Sequence, residues 1–360
     1  MMGVGSMDRK TKLINFNELR PGMVIAKNVE QGRQILLKKD FAITNSAIQK
    51  LKRTLFLDRI EVYDDMVTNE DKIERKKIKE YEKIDEDFKE ISTRLQRTFR
   101  LITNPTGSTL NELKEFSERI QNEMRPSSMI IKNIVLQGSG EDSIYRHGVN
   151  VAALSALIGK WIGMEPKDIN RLIYSAILHD FGKTKIDKEI LKKNGALTTS
   201  EFEVIKTHTT LGYKMLKDVS YLDKSVLYGV VMHHEREDGS GYPLSLKGEA
   251  IHQFGKIIAI ADVFDAINSN RGYKKKKPPF EALQIVKNES LGKLNYEYSK
   301  VFIEHIVNYY LGEEAILNSG ERCKIIQMNV NNLEKPLILK KNEFIELTKE
   351  KNLYIEELVL

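Results

Sequence analysis

Seven histidines occur in this 360-residue sequence, and five of them, His147, His179, His208, His233 and His234, interrupt or end apolar stretches beside turns. A buried imidazole in such a place needs hydrogen bonds or a metal ion, because desolvating it without a partner is unfavourable. Four of the residues concerned come as adjacent pairs. His179-Asp180 closes the apolar run Leu172, Ile173, Ala176, Ile177, Leu178, and His233-His234 opens the stretch HHEREDGSGYP that ends at Pro243. A further carboxylate comes from Asp262, with Asp265 three residues on and on the same face of a helix. The other two histidines, His252 and His305, lack such company and read as structural.

Consecutive side chains on a helix diverge by roughly 100°, so His179 with Asp180, or His233 with His234, cannot easily serve one ion in the same way. Two ions resolve this. An aspartate can bridge them through its two oxygens while its histidine neighbour binds one, and the two histidines of the second pair can divide between ions or cap one from a helix end. Imidazoles and carboxylates without thiolate suit Fe, Mn, Co, Ni or Zn, and not a structural zinc knot. Two divalent ions, less the charges of Asp180, Asp262 and a bridging hydroxide, leave the site net positive, so it should favour an anion. Paired ions sharing an acidified water suit in-line attack on phosphorus. Lys183, Arg271 and Lys274 are the cations available to neutralise phosphate oxygens, Arg271 in bidentate fashion.

The elements that must hold these residues lie between Leu110 and Leu311, a region that reads almost wholly helical. Its stripes include Leu113, Phe116, Ile120 and Met124, and Val151, Leu154, Leu157, Ile158 and Ile162. Ser200-Glu201-Phe202-Glu203 has the spacing of a capping box. Asn69 to Phe99 is dense in charge, with Tyr81, Ile84, Phe88, Ile91 and Leu95 forming a narrow seam. With only about three heptads, a linker packed on its own domain accounts for that seam better than a signalling or dimerising helix, which would make a homodimer. Leu13 to Val67 reads as a small α+β module, with strands at Met23 to Ala26, Gln34 to Leu37 and Ile60 to Val62 and a helix over Ser46 to Thr54. Beyond Gly312 come β-like runs, Cys323 to Val330, Pro336 to Leu339, Phe344 to Leu347 and Leu353 to Leu358. The expected class is mostly α, in four parts: an N-terminal α+β module (1–67), a helical linker (68–125), an all-helical catalytic domain (126–312) and a β-rich C-terminal domain (313–360).

Composition narrows the setting. The net charge of +6, from 57 Lys and Arg against 51 Asp and Glu, is spread over every segment and marks no nucleic-acid surface. The single cysteine, Cys323, excludes an internal disulfide and fits a reducing compartment. No apolar run approaches the roughly 18 to 20 residues of a membrane span, and the first residues lack the apolar core of a signal peptide, so a cytoplasmic protein is expected.

The set His147, His179-Asp180-x-Gly182-Lys183, His208, His233-His234-Glu235, Asp238-Gly239-x-Gly241-Tyr242-Pro243 and Asp262 with Arg271 resembles the HD-GYP subfamily of HD-domain phosphohydrolases, over about Ile130 to Leu311. The resemblance implies an all-helical domain with a two- or three-ion centre that hydrolyses cyclic di-GMP to linear pGpG and often onward to GMP. It assigns His147, His179, Asp180, His208, His233, His234 and Asp262 as ligands of divalent transition-metal ions, Fe or Mn first, with Asp180 bridging. It assigns Lys183, Arg271 and Lys274 as phosphate contacts. Members with a third ion carry glutamate one turn before the first histidine; Ser143 stands there, with Asp142 and Glu141 out of register, so two ions are expected and the second hydrolytic step is in question. Arg271-Gly272-Tyr273 stands where the family usually has Arg-Pro-Tyr, so a more mobile loop is the expectation there. Phe16 to Lys27 (FNELRPGMVIAK) resembles the small module that often precedes this domain.

Gly239 and Gly241 permit positive φ and close backbone approach, and Tyr242 offers a face on which guanine can stack. A plain turn closing the helix end is equally open, and the resemblance adds a docking surface for diguanylate cyclases. The expected function is that of a metal-dependent cyclic di-GMP phosphodiesterase in bacterial second-messenger signalling, with Asp180 and Lys183 at the chemistry and Lys183, Tyr242, Arg271 and Lys274 on the substrate. The alternatives are hydrolysis of another cyclic dinucleotide or nucleotide, and a cyclic di-GMP-binding module with little turnover. The complete ligand set argues against the second.

Overall fold

The alternation of Ile60 and Val62 with polar neighbours is a pattern that a strand buries on one face. A computed structural model of the chain describes residues 11–15, 18–20, 23–31, 34–41, 43, 48, 59–63, 69–102, 107–123, 127–139, 143–193, 195–269, 279–329 and 331–359. Two compact units meet in sequence at Lys79 and Glu80. In the first, β1 (Thr11–Asn15), β2 (Val29–Gln31), β3 (Gln34–Leu37) and β4 (Arg59–Tyr63) pair antiparallel as β1 with β4 and β2 with β3. Ile14, Ile25, Val29, Ile43, Ile60 and Val62 form its core. The strand expected over Met23 to Ala26 shortens to an isolated bridge between Ile25 and Val62. The helix expected over Ser46 to Thr54 lies outside the described residues, Ile48 apart.

The charge-dense segment is one long helix, α1 (Asn69–Leu101). From Tyr81 onward its seam, Ile84, Phe88, Ile91, Leu95 and Phe99 included, is buried in the same core as the helices that follow. Arg94 braces it by a forked pair of bonds to Glu115, 2.5 and 2.7 Å. Next come α2 (Gly107–Glu118), a π turn at Arg119–Glu123, α3 (Ser127–Gln137), α4 (Ser143–Trp161) and α5 (Pro166–Leu178). A 3-10 turn over Phe181–Lys185 leads to α6 (Lys188–Leu191), α7 (Thr199–Lys206), α8 (His208–Leu216) and α9 (Lys224–Met232). Then follow α10 (Gln253–Asn268), α11 (Pro279–Glu289) and α12 (Tyr296–Tyr310). The mostly α class is therefore the observed one.

The capping box at α7 sits two residues earlier than the spacing from Ser200 suggests. Thr198 Oγ1 accepts from the Glu201 amide at 3.2 Å, and the Glu201 carboxylate accepts from the Thr198 amide at 2.7 Å. Lys193 holds the same carboxylate at 2.6 Å, which favours Thr198 as the cap. Packing then converges on one place, with α4 against α5 and α10, and α9 against α5, α8 and α10.

A five-stranded antiparallel sheet closes the chain: β5 (Glu314–Leu317), β6 (Arg322–Gln327), β7 (Leu337–Lys340), β8 (Glu343–Glu346) and β9 (Ile355–Leu358), in the order β8-β7-β6-β5-β9. β5 has no counterpart in the pattern reading, because its apolar residues are a run of three, Ala315, Ile316 and Leu317, after two glutamates. Ala315, Leu317, Ile325 and Ile338 join the helical core. Among the described residues, no helix is long and apolar enough to cross a membrane.

Leu95 is fully buried in this core. Leu95→Ala should lower unfolding stability by about 2–5 kcal/mol. Denaturant unfolding of the full chain measures it, and a loss below about 1 kcal/mol would show that α1 is not part of the core.

Candidate metal centre

Three histidines take the same local solution at helix ends. The last carbonyls of a helix have no intrahelical partner. His179 Nδ1 bonds to Ala176 O at 2.7 Å, His208 Nδ1 to Ile205 O at 2.6 Å and His233 Nδ1 to Val230 O at 2.8 Å, each three residues back. A carbonyl accepts only, so each Nδ1 is the donor and each Nε2 keeps its lone pair. His147, near the start of α4, has no helix-end carbonyl to take and instead donates Nδ1 to Asp265 Oδ2 at 2.7 Å. Its Nε2 faces Asp262 Oδ1 at 3.0 Å.

These ring nitrogens surround Asp180, which is 2% exposed. Asp180 Oδ2 lies 3.5 Å from His179 Nε2 and 3.7 Å from His147 Nε2. Asp180 Oδ1 lies 3.4 Å from His208 Nε2 and 4.0 Å from His233 Nε2. His234 turns Nδ1 towards Asp262 Oδ2 at 4.0 Å. All seven residues expected as ligands are thus brought together. Lys183 joins them, its Nζ donating to Asp180 Oδ2 at 2.6 Å. Arg271 and Lys274 lie outside the described residues, as do Glu141 and Asp142.

The donor set fits divalent ions on two observations. His179 Nε2 and Asp180 Oδ1 are buried without a hydrogen-bond partner. His208 Nε2 and His233 Nε2 face each other at 3.2 Å although both carry lone pairs, an approach that a cation between them would relieve. Three overlapping groups have ligand atoms within 4.8 Å of one another: His208, His233 and His234; His147, His179 and Asp262; and His179, Asp180 and His233. The protonation states agree. Burial lowers His179, pushes His233 and His234 well down, and brings His208 to about 4, so these rings are neutral. Burial alone would raise Asp180 and Asp262, but Lys183 and the surrounding imidazoles hold Asp180, and the bond from His147 holds Asp262, well below the usual carboxylate range. Neutral imidazoles and ionised carboxylates are the forms that bind metal. His147 differs: burial lowers it, yet bonds to Asp262 and Asp265 carry it up to about 9.

Close backbone approach sets the spacing. A Cβ on Gly182 would lie 1.9 Å from His208 O, so glycine lets the 3-10 turn seat the start of α8 beside Asp180. The Asp238 to Pro243 loop folds back on itself, with Gly239 at φ +82° and Gly241 against the backbone of His234 to Arg236. Glu235, part of the quoted motif but given no role from sequence, is buried, accepts from the amides of Leu244 and Leu246 at 2.7 and 2.8 Å and pins the loop. Tyr242, expected to stack on substrate, stacks on His234 with centroids 4.7 Å apart, and Lys206 Nζ stands 5.8 Å from its ring centre. Away from the site, His252 caps α10 by accepting from the Phe254 amide, and His305 packs edge-on against Trp161. Asp265 was legible as a neighbour of Asp262 but not as the residue that orients His147; the matched spacings of His147 with Asn150 and Asp262 with Asp265 were the available signal.

Part of the chain is similar to known proteins. A family model described as an HD domain matches residues 112–295. A cyclic di-GMP phosphodiesterase of Thermotoga maritima is 41% identical over 164 residues, 44% of this chain and 43% of that protein. Cyclic di-GMP phosphodiesterase PA4108 of Pseudomonas aeruginosa is 30% identical over 206 residues, 57% of this chain and 50% of that protein. A 3'3'-cGAMP-specific phosphodiesterase of Vibrio cholerae is 33% identical over 189 residues, 52% of this chain and 43% of that protein. The chain therefore spans half or less of the length of these curated relatives. Among solved structures, an HDG"Y"P protein from Bdellovibrio bacteriovorus aligns with a TM-score of 0.53 at 17% identity, covering 82% of this chain and 99% of that one, a likeness of fold.

Because His147 keeps its proton up to about pH 9 in the metal-free chain, a divalent ion must displace it. At pH 8, adding Mn²⁺ should release about one proton per chain from this residue, and Mn²⁺ affinity should rise as pH approaches 9. Titration calorimetry in buffers of different ionisation heat reads the proton. Equal apparent enthalpies in all buffers would contradict the assignment.

Proposed function

The chain belongs to the HD-domain family, in its HD-GYP branch, and from that premise we propose that it is a metal-dependent phosphodiesterase hydrolysing cyclic di-GMP to pGpG. One observation carries the two-ion form of this reading: Asp180 presents Oδ2 to His147 and His179 and Oδ1 to His208 and His233. A carboxylate so placed would help to hold divalent ions together with the rings on both of its sides. His147, His179 and Asp262 would hold one, and His208, His233 and His234 the other, with Fe or Mn preferred and Ni, Co or Zn compatible with the same donors.

Bound divalent ions supply Lewis acidity towards the phosphodiester and an acidified water for attack on phosphorus. The side chains have three tasks around them. The bonds from Nδ1 to carbonyls and to Asp265 fix the rings before any ion arrives, so little ordering remains for binding. Lys183 keeps Asp180 ionised and brings a positive charge beside it, where it would neutralise a phosphate oxygen. Arg271 and Lys274, on the segment after α10, are assigned the other phosphate contacts. Tyr242 serves as a wall that holds His234, and its role towards a guanine base is secondary to that stacking.

A second reading, hydrolysis of a different cyclic dinucleotide, is favoured by the likeness to a 3'3'-cGAMP-specific enzyme. The N-terminal α+β module is read as the regulatory input; for the loop from Asp238 to Pro243 a helix-closing turn, a substrate contact and a docking surface for diguanylate cyclases all stay open. A reducing, cytoplasmic setting agrees with the lone free cysteine, Cys323.

Incubation of anaerobically prepared, Mn²⁺-loaded full chain with cyclic di-GMP and with 3'3'-cGAMP, followed by chromatography, should show pGpG accumulating from the first substrate. Asp180→Ala should lose ion binding and lower the rate by more than about 100-fold. An active, metal-replete Asp180→Ala protein would overturn the assignment, and a metal-loaded wild type that leaves cyclic di-GMP intact would overturn the activity.

A further inference from the structure

His147 is oriented by Asp265, and Asp265 is itself held from behind. Its second oxygen, Oδ1, accepts from Asn150 Nδ2 at 2.7 Å. A carboxylate only accepts, so the Asn150 amide has one workable orientation, with its oxygen turned away. That oxygen accepts from Arg146 Nε at 3.3 Å. Arg146 Nη2 continues to Asn133 Oδ1 at 2.5 Å and to Asp85 Oδ1 at 3.2 Å, while Asn133 Nδ2 donates to the same Asp85 oxygen at 3.1 Å. The guanidinium lies over the Phe88 ring, 4.8 Å from its centre. Asp85 and Phe88 belong to α1, outside the helices that carry the candidate ligands.

We propose that Asp85 is a positioning residue for the metal centre, holding His147 in place through Arg146, Asn150 and Asp265. The inference rests on the metal-centre reading above. Four observations support it. The path is continuous, with every link a hydrogen bond between named atoms. Asn133, Asn150 and Asp265 are fully buried, so water cannot replace a broken link. The donor and acceptor sense of each link is forced by the acceptor-only carboxylates at both ends. Unlike His179, His208 and His233, His147 has no helix-end carbonyl for its Nδ1 and depends on Asp265 for its orientation. Arg146 is shared between two acidic groups, Asp85 in α1 and Asp265 at the site. Removing Asp85 leaves the cation free to shift towards Asp265 and to compete with Asn150 and His147 for its oxygens.

The test uses the chelator-treated full chain and Mn²⁺ alone as probe, with affinity read by calorimetry and metal-free unfolding temperature recorded for each variant. Asp265→Asn should weaken Mn²⁺ binding by about 10- to 100-fold. Asp85→Asn should weaken it by about 3- to 10-fold. The double variant should bind within about 2-fold of Asp265→Asn alone, because Asp85 acts through Asp265. A residue that merely supported folding would multiply its effect with that of Asp265→Asn. If Asp85→Asn does not fold, Arg146→Lys keeps the charge but cannot reach Asn150, Asn133 and Asp85 together, and it should show the same weakening and the same non-additivity. Wild-type affinity in the folded variant, or independent effects in the double variant, would overturn the inference alone. A wild type that takes up no Mn²⁺ would overturn the metal-centre reading and the inference with it.

Discussion

An aspartate sealed from water among imidazoles that point lone pairs at it is the condition the second unit is built around. Burial of an ionised carboxylate is unfavourable unless positive charge compensates it nearby. Lys183 supplies one such charge, at a single oxygen of Asp180. His147, protonated in the metal-free chain, brings a second charge to the same oxygen, whereas His208 and His233, facing the other oxygen, are neutral acceptors and supply none. With His208 and His233 facing each other through their lone pairs, the cluster is electrostatically incomplete by its own residues. Its donors are those that complete themselves with cations.

Helix ends provide much of the positioning. α5, α7 and α9 each finish where a carbonyl is left without an amide partner, and a histidine three residues on takes it. One bond thereby satisfies a helix terminus, selects a tautomer and aims Nε2. His147 is placed near the start of its helix and uses a carboxylate instead, which draws Asp265 and the groups behind it into the site's support. The adjacent-pair problem is solved in the same way. His179 and His233 stand at helix caps, where the chain leaves helical geometry, so Asp180 and His234 need not follow the turn of a helix.

Much of this was legible in the sequence because the signals were local. Interrupted apolar stripes gave the helices and their mostly α class, and paired His-Asp and His-His with a glycine-rich loop gave the members of the site. Features that depend on two distant segments meeting were not legible. The pairing of Asp265 with His147 and the contact of Asp85 with Arg146 join residues far apart in sequence, and the seating of Glu235 depends on how the loop folds back over it. Tyr242 was expected to present a stacking face, and the structure gives that stacking to His234, a neighbour eight residues back. β5 escaped because its apolar content comes from its place in the sheet, between β6 and β9, rather than from a pattern of its own. At α7, the cap is Thr198, and the Glu201 carboxylate it shares with Lys193 is a contact that spacing from Ser200 does not reveal.

The central claim is that these buried imidazoles and carboxylates exist to hold divalent ions. The most direct measurement is the metal content of the anaerobically purified full chain before and after chelation, with the unfolding temperature recorded for both. About two divalent transition-metal ions per chain, lost on chelation together with a fall in unfolding temperature, is the predicted result. A fully folded chain with no stoichiometric metal, and an unfolding temperature indifferent to added Mn²⁺ or Fe²⁺, would contradict it.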